Sequence, residues 1–299
     1  DKLYILYKLE VGKYNRGHVA KYDPGGKGIN VSRCLKELGD ESIIVGFFAG
    51  GVGHTLTNIL SSKGFQVQAV QVDGENRSNI TLIETFSGEM TKLNEYGPVI
   101  DHQKMNLMLS FIEEKTKKGD IWVLSGSLLP GLPNGFYAMV IKRIQSCGGL
   151  AFLDTRGMWL VYGYQAVPFA LRINQIEAEE ALGKSLRTVE DYYSAVNKFR
   201  KKGISISVIS LENEGAVFAN EDTILDVKAP RVSAKTVVGA GDAMMAMLIH
   251  AYMNKWSFEK TAKWSVAAGS ASVMKEGTSI AELSLIKTLL DEIKVKRIK

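Results

Sequence analysis

Two rhythms of apolar and polar residues run along this chain. From about Ile43 onward, short β-branched runs alternate with longer stretches in which apolar residues recur every three or four positions. The short runs suit strands buried on both faces, the longer ones suit amphipathic helices, and their alternation predicts βα units around a largely parallel sheet. Predicted strands are Ile43 to Phe48, Ile121 to Leu124, Leu150 to Asp154, Ala170 to Ile173 and Ile206 to Ser210. Helices are predicted at His54 to Lys63, Gln103 to Lys118, Gly135 to Cys147, Gln175 to Leu182, Val189 to Lys202, Ala240 to Asn254 and Phe258 to Lys275. The fold class is therefore α/β, with helices packed against a sheet.

Leu3 to Tyr22 and Gln66 to Leu93 break this rhythm, alternating apolar and polar residues with turn residues between them. They read as antiparallel strands. Their shared pattern predicts a small discontinuous β lid made of residues 1–22 and 66–94, beside a core of residues 23–65 and 95–299. The other reading is that they extend the main sheet as edge strands. An exposed lid sheet would also offer an edge for pairing with a second copy, which makes a homodimer through the lid an expectation.

Composition narrows the class without changing the picture. Of 299 residues, 45% are hydrophobic and 23% charged, as in ordinary soluble globular proteins, which excludes disordered and fibrous classes. The longest apolar stretches, Ile43 to Phe48 and Ala243 to Ile249, are far short of a membrane span, so the protein is expected in the cytoplasm. A formal charge of +5 with no aromatic-plus-basic stripe argues against nucleic acid and suits phosphate substrates. The basic tail, Lys294 to Lys299, reads as a solvated helix end. Cys34 and Cys147 lack metal-ligand spacing and read as ordinary buried thiols.

Candidate chemistry lies at two glycine-rich helix openings. In Thr236 to Met247 (TVVGAGDAMMAM), small residues lead into a strongly helical run. The unpaired N–H groups of Gly239, Ala240, Gly241 and Asp242 can face a phosphate there, and Asp242 can accept a proton from an attacking hydroxyl. The same pattern also fits an acid favouring a helix start behind a tight turn. In Pro24 to Leu38 (PGGKGINVSRCLKEL), Gly25, Gly26 and Gly28 bare the backbone while Lys27 and Asn30 supply a charge and an amide. A plain glycine-rich connection with a surface lysine is the alternative. Neither a dinucleotide fingerprint nor a Walker A loop is present.

A GGKGxN opening early in the chain and a GAGD opening about two hundred residues later resemble the paired signatures of the PfkB or ribokinase-type carbohydrate kinases. The likeness covers essentially the whole chain and is nearest the branch of 1-phosphofructokinase, tagatose-6-phosphate kinase and the minor 6-phosphofructokinase. It implies a three-layer α/β/α core with a β lid, and ATP and Mg2+ as cofactors. Asn174 and Glu177 resemble an NxxE motif that holds magnesium and its waters, although the pair also reads as a helix cap. Ser210 and Gly215 resemble an SLGxxG nucleotide segment in which Glu212 replaces a glycine. Arg172 stands where the branch has the lysine of KPN. Val266, Ser270 and Gly277 match the helix and turn beside the adenine, with plain helix packing as the alternative for this stretch.

On the acceptor side, Arg77 and Asn79 resemble the lid position that holds a phosphate already on the sugar, and an arginine fork suits a phosphate dianion. Ser127 matches a loop lining the sugar, and Asp1 looks like the last residue of the NPxxD sugar-binding turn. The resemblance implies phosphorylation of a ketohexose phosphate to a bisphosphate, fructose 1-phosphate first, with tagatose-6-phosphate kinase or 6-phosphofructokinase as alternatives. A non-catalytic sugar-phosphate sensor, or an enzyme of this fold acting on a nucleoside or vitamin, are the readings from other classes.

Overall fold

The structure, a computed structural model, describes residues 1–236, 238–275 and 280–298. The chain opens with two strands, β1 (Lys2–Leu6) and β2 (His18–Tyr22), and the helix α1 (Lys27–Glu37). A βαβ unit follows: β3 (Ile43–Ala49), α2 (Gly50–Ser62) and β4 (Gln66–Val72). Next come β5 (Asn79–Glu84), β6 (Met90–Asn94) and α3 (His102–Lys115). Alternation then runs through β7 (Ile121–Ser125), α4 (Phe136–Ser146), β8 (Leu150–Asp154), α5 (Gly157–Gln165), β9 (Ala170–Asn174), α6 (Gln175–Leu182), α7 (Val189–Lys201) and β10 (Ile206–Ser210). The last elements are β11 (Gly215–Ala219), β12 (Ile224–Lys228), α8 (Ala240–Met253), α9 (Phe258–Val273), α10 (Leu283–Thr288) and β13 (Lys294–Arg297).

Among the described residues the central sheet has seven strands in the order β13-β12-β11-β10-β9-β8-β7. From β7 to β10 it is parallel, and from β10 to β13 antiparallel. The parallel strands are buried on both faces, which is why they read as nearly continuous apolar runs. One face packs α3 to α7 through Leu109, Ile141, Leu160 and Phe199, and the other packs α1, α8, α9 and α10 through Leu35, Met245, Ala267 and Ile286. The result is the expected α/β/α sandwich. Each fully buried aliphatic or aromatic side chain contributes about 1.5–3 kcal/mol to it.

Register sets the strand ends level. Ser125 lies opposite Asp154, and Ser210 opposite Asn174, so the carboxyl ends of β7, β8, β9 and β10 form one rim. Ligands of open α/β sheets bind along such a rim.

The lid is a four-stranded sheet in the order β2-β1-β5-β6, with β1 and β5 parallel and the outer pairs antiparallel. It is discontinuous in sequence, as expected. Two assignments change. Gln66–Val72 is not a lid strand: it pairs in parallel with β3 across α2, and Val70 and Val72 are buried beneath α3. Its alternating pattern reveals one buried face but not which sheet it joins. Ile43–Ala49, expected in the core sheet, pairs with β4 alone.

At the other end, the basic tail is a strand rather than a helix end. Lys294–Arg297 pairs antiparallel with β12 as the outermost strand of the core sheet, where exposed lysines suit an edge.

Candidate active site

α1 and α8 pack against each other, and their openings meet above the rim. Gly26, the residue before α1, has φ 113°, and Gly239, the residue before α8, has φ 89°, so both turns use backbone conformations that favour glycine. Asp242 lies in the first turn of α8 and is 5% exposed. The Asn30 amide Nδ2 donates to its Oδ2 at 2.9 Å. That single bond joins the two glycine-rich motifs across more than two hundred residues. The Asp242 carboxyl is raised from 3.8 to about 6, chiefly by burial and then by the negative charge of Asp154, against the pull of Asn30, Lys27 and Arg172.

Asp154, at the carboxyl end of β8 and 0% exposed, is a site residue that the sequence reading passed over. Lys27 Nζ donates to its Oδ1 at 2.5 Å, and Arg172 Nη1 to its Oδ2 at 3.2 Å. One buried carboxylate thus holds two cations of the site. Its position as an acid ending a core strand was the available signal. Arg172 is itself 7% exposed, its Nη2 donates to Ser210 Oγ at 2.8 Å, and its guanidinium lies so close to Gly241 that a Cβ there would overlap it. Arg172 and Ser210 therefore belong to the same group as the α8 opening.

Asn174 and Glu177 form a reciprocal cap on α6. Asn174 Oδ1 accepts from the Glu177 N–H and Glu177 Oε2 accepts from the Asn174 N–H, each at 2.8 Å. The capping reading of this pair is therefore realised. Burial raises the Glu177 carboxyl, against the nearby Lys27. Its Oε1 makes no hydrogen bond among the described residues and remains an oxygen donor of the kind a hard cation takes. No cluster of three or more His, Cys, Asp or Glu side chains at metal-ligand spacing occurs among the described residues. A magnesium ion held mainly by phosphates and waters needs none.

The acceptor residues converge from the lid and the core. Asn79 Nδ2 donates to Asp1 Oδ1 at 2.9 Å, and the Asp1 carboxylate lies where a Cβ on Gly25 would overlap it. Arg77 Nη1 reaches Ser127 Oγ at 3.4 Å. Burial lowers the Arg77 pKa; the nearby phenol of Tyr137 opposes this, and Arg156 adds to it. A half-buried guanidinium beside a second one is a setting that an anion would relieve. Asp1, Lys27, Arg77, Asn79 and Ser127 all line one cavity of 2040 Å³.

Three nucleotide-side residues stand apart from these groups. Gly215 has φ 112° at the start of β11, where a Cβ would strike the Val227 carbonyl. Val266 and Ser270 are buried on α9, Val266 within the packing of that helix layer. Gly277 lies outside the described residues. Glu212, where the resemblance has a glycine, adopts φ 47°, the left-handed conformation that favours glycine.

Comparison with known proteins agrees with this geometry. Residues 4–284 match the profile described as pfkB family carbohydrate kinase. The chain is 28% identical to the 1-phosphofructokinase of Bacillus subtilis over 298 residues, spanning 100% of this chain and 96% of that protein. It is 31% identical to the 1-phosphofructokinase of Xanthomonas campestris, over 85% of this chain and 81% of the relative. The structure of phosphofructokinase-2 from Escherichia coli superposes with a TM-score of 0.92 at 24% identity, over 97% of this chain and 94% of that one, and shares the fold.

Proposed function

Because this chain belongs to the pfkB family of carbohydrate kinases and so transfers a phosphoryl group from ATP, we propose that its acceptor is a ketohexose phosphate, fructose 1-phosphate before others, and its product a bisphosphate. The observation that carries this reading is the Asn30–Asp242 hydrogen bond. It sets the acid beside the helix opening that bears Lys27, at a cleft whose far side bears Arg77.

In the reaction, Asp242 accepts the proton of the acceptor hydroxyl as that oxygen attacks the γ-phosphorus. The first N–H groups of α8, at Gly239, Ala240 and Gly241, face the charge that develops on the phosphoryl oxygens. Arg172 and Lys27, held by Asp154, add positive charge on either side. Arg77, with Asn79, Ser127 and Asp1, fixes the phosphorylated sugar. Magnesium, when bound through waters to Glu177 and Asn174, offsets negative charge on the ATP phosphates. Closure of the lid excludes water, which limits ATP hydrolysis. Pairing of two lids would give a homodimer, and the enzyme would act in the cytoplasm; no helix among the described residues is long and apolar enough to cross a membrane.

ADP release measured with fructose 1-phosphate, tagatose 6-phosphate, fructose 6-phosphate and the free sugars tests the acceptor class. Phosphorylated ketohexoses are expected to be used far better than free sugars, with fructose 1-phosphate ahead. Arg77→Ala should raise KM for the phosphorylated acceptor by roughly 10- to 100-fold, the scale of a lost charge-assisted pair, with kcat nearly retained. Equal use of free sugars, with no effect of Arg77→Ala, would overturn the assignment.

A further inference from the structure

The cavity that holds the acceptor residues is larger than an acceptor needs. At 2040 Å³ it is about twice the upper volume of an ordinary small-molecule pocket. The excess is a slot in the sheet layer. One wall is β3, with Val45 and Phe47, and the other is β7, with Trp122 and Val123. Leu35 of α1 lines it from one helix layer and Phe111 of α3 from the other.

Both walls are strand edges without a partner. β7 ends the central sheet and bonds only β8, whereas β3 bonds only β4. Yet α1 packs across both β3 and β7, so the two strands lie in one layer with an interruption between them. Unpaired backbone groups facing an apolar slot are costly, and a strand seated there would satisfy both rows.

At the carboxyl-end mouth of the slot stands the amine of Asp1. The Asp1 carboxylate adjoins Gly25, and Gly28 faces Ser125, the last residue of β7. The Asp1 amine donates to the Asp23 carbonyl at 2.9 Å and accordingly sits inside the fold, where burial lowers its pKa. A charged amine is poorly suited to that place; a peptide N–H is well suited.

We propose that the slot between β3 and β7 is a strand acceptor, occupied by one extended apolar segment joined to the amine of Asp1 and running parallel to both walls. Covered by helices on both faces, the occupant would be a continuous apolar run, like the other parallel strands. Matching the seven residues of β3 gives a strand of about 23 Å at 3.3 Å per residue. Once seated, it would continue the sheet from β4 through to β13 and fix Asp1 from its chain side. This inference is independent of which sugar the enzyme uses.

The test places seven valine- and isoleucine-rich residues directly before Asp1, and compares this protein with the unextended chain, with a Gly/Ser extension of equal length, and with the apolar extension carrying a central proline. The apolar extension is expected to raise Tm by about 5 °C or more and to protect the amides of β3 and β7 from hydrogen exchange. Gly/Ser and proline versions should do neither, since proline removes a ladder donor inside a sheet. If the unextended chain is too unstable to compare, the apolar and proline extensions compared with each other still decide the matter. Equal Tm and equal exchange in those two would overturn the proposal. So would protection of β3 and β7 in the unextended chain, whether by closing on each other or by pairing with a second copy.

Discussion

At the scale of single residues, the site works by setting buried charges against one another. Burial and Asp154 both resist ionisation of Asp242, and its carboxyl is raised to about 6, much nearer neutrality than an ordinary aspartate. A base poised there takes up a proton more readily than one near 4 and is still ionised at neutral pH. We expect kcat/KM to be flat above about pH 6 and to fall tenfold per unit below it; a flat profile down to pH 5 would contradict this assignment. Linkage gives the stability sign. Because the folded value exceeds the unfolded one, the native state binds the proton more tightly, and stability falls as pH rises from about 4 to about 6. Asp242 itself was legible in the sequence because a helix opening is a local pattern. Asp154 was not, since its partners Lys27 and Arg172 are brought to it by the fold, Lys27 from 127 residues away.

Among the elements, helices were legible and strand partners were not. Gln175–Leu182 was predicted with its observed bounds, because a capping box begins it and Gly183, at φ 62°, ends it. In contrast β11, β12 and β13 are short, and β4 carries the same alternation as a lid strand, so local periodicity could not say which sheet each one joins. The turn between β10 and β11 carries a testable strain. Glu212 holds φ 47° there, which costs a non-glycine residue about 1 kcal/mol. Glu212→Gly should therefore leave Tm unchanged or raise it by roughly 1–4 °C in thermal unfolding, with part of the gain offset by the entropy of glycine in the unfolded chain. A clear fall in Tm would show that the Glu212 side chain contributes more than its backbone costs.

For the whole molecule, the layered core supplies a rigid rim and the lid supplies the mobile half of the acceptor site. The core and lid were both foreseen, the first from alternating βα periods and the second from two alternating stretches, although the lid proved shorter than residues 1–22 and 66–94. Its outer strand β2 bonds only β1, and the lid sheet exposes Val19, Tyr22, Met90 and Leu93. Sedimentation is expected to give a dimer that Val19→Lys with Leu93→Lys converts to monomer; a wild-type monomer would refute pairing through the lid. The central claim, that Asp242 is the base of a sugar-phosphate kinase, is tested most directly by ADP release from Asp242→Asn with saturating ATP and fructose 1-phosphate. The account predicts turnover lower by about 10² to 10⁴-fold, with ATP binding retained and Tm at neutral pH no lower than wild type. Turnover within a few-fold of wild type in a folded variant would contradict it.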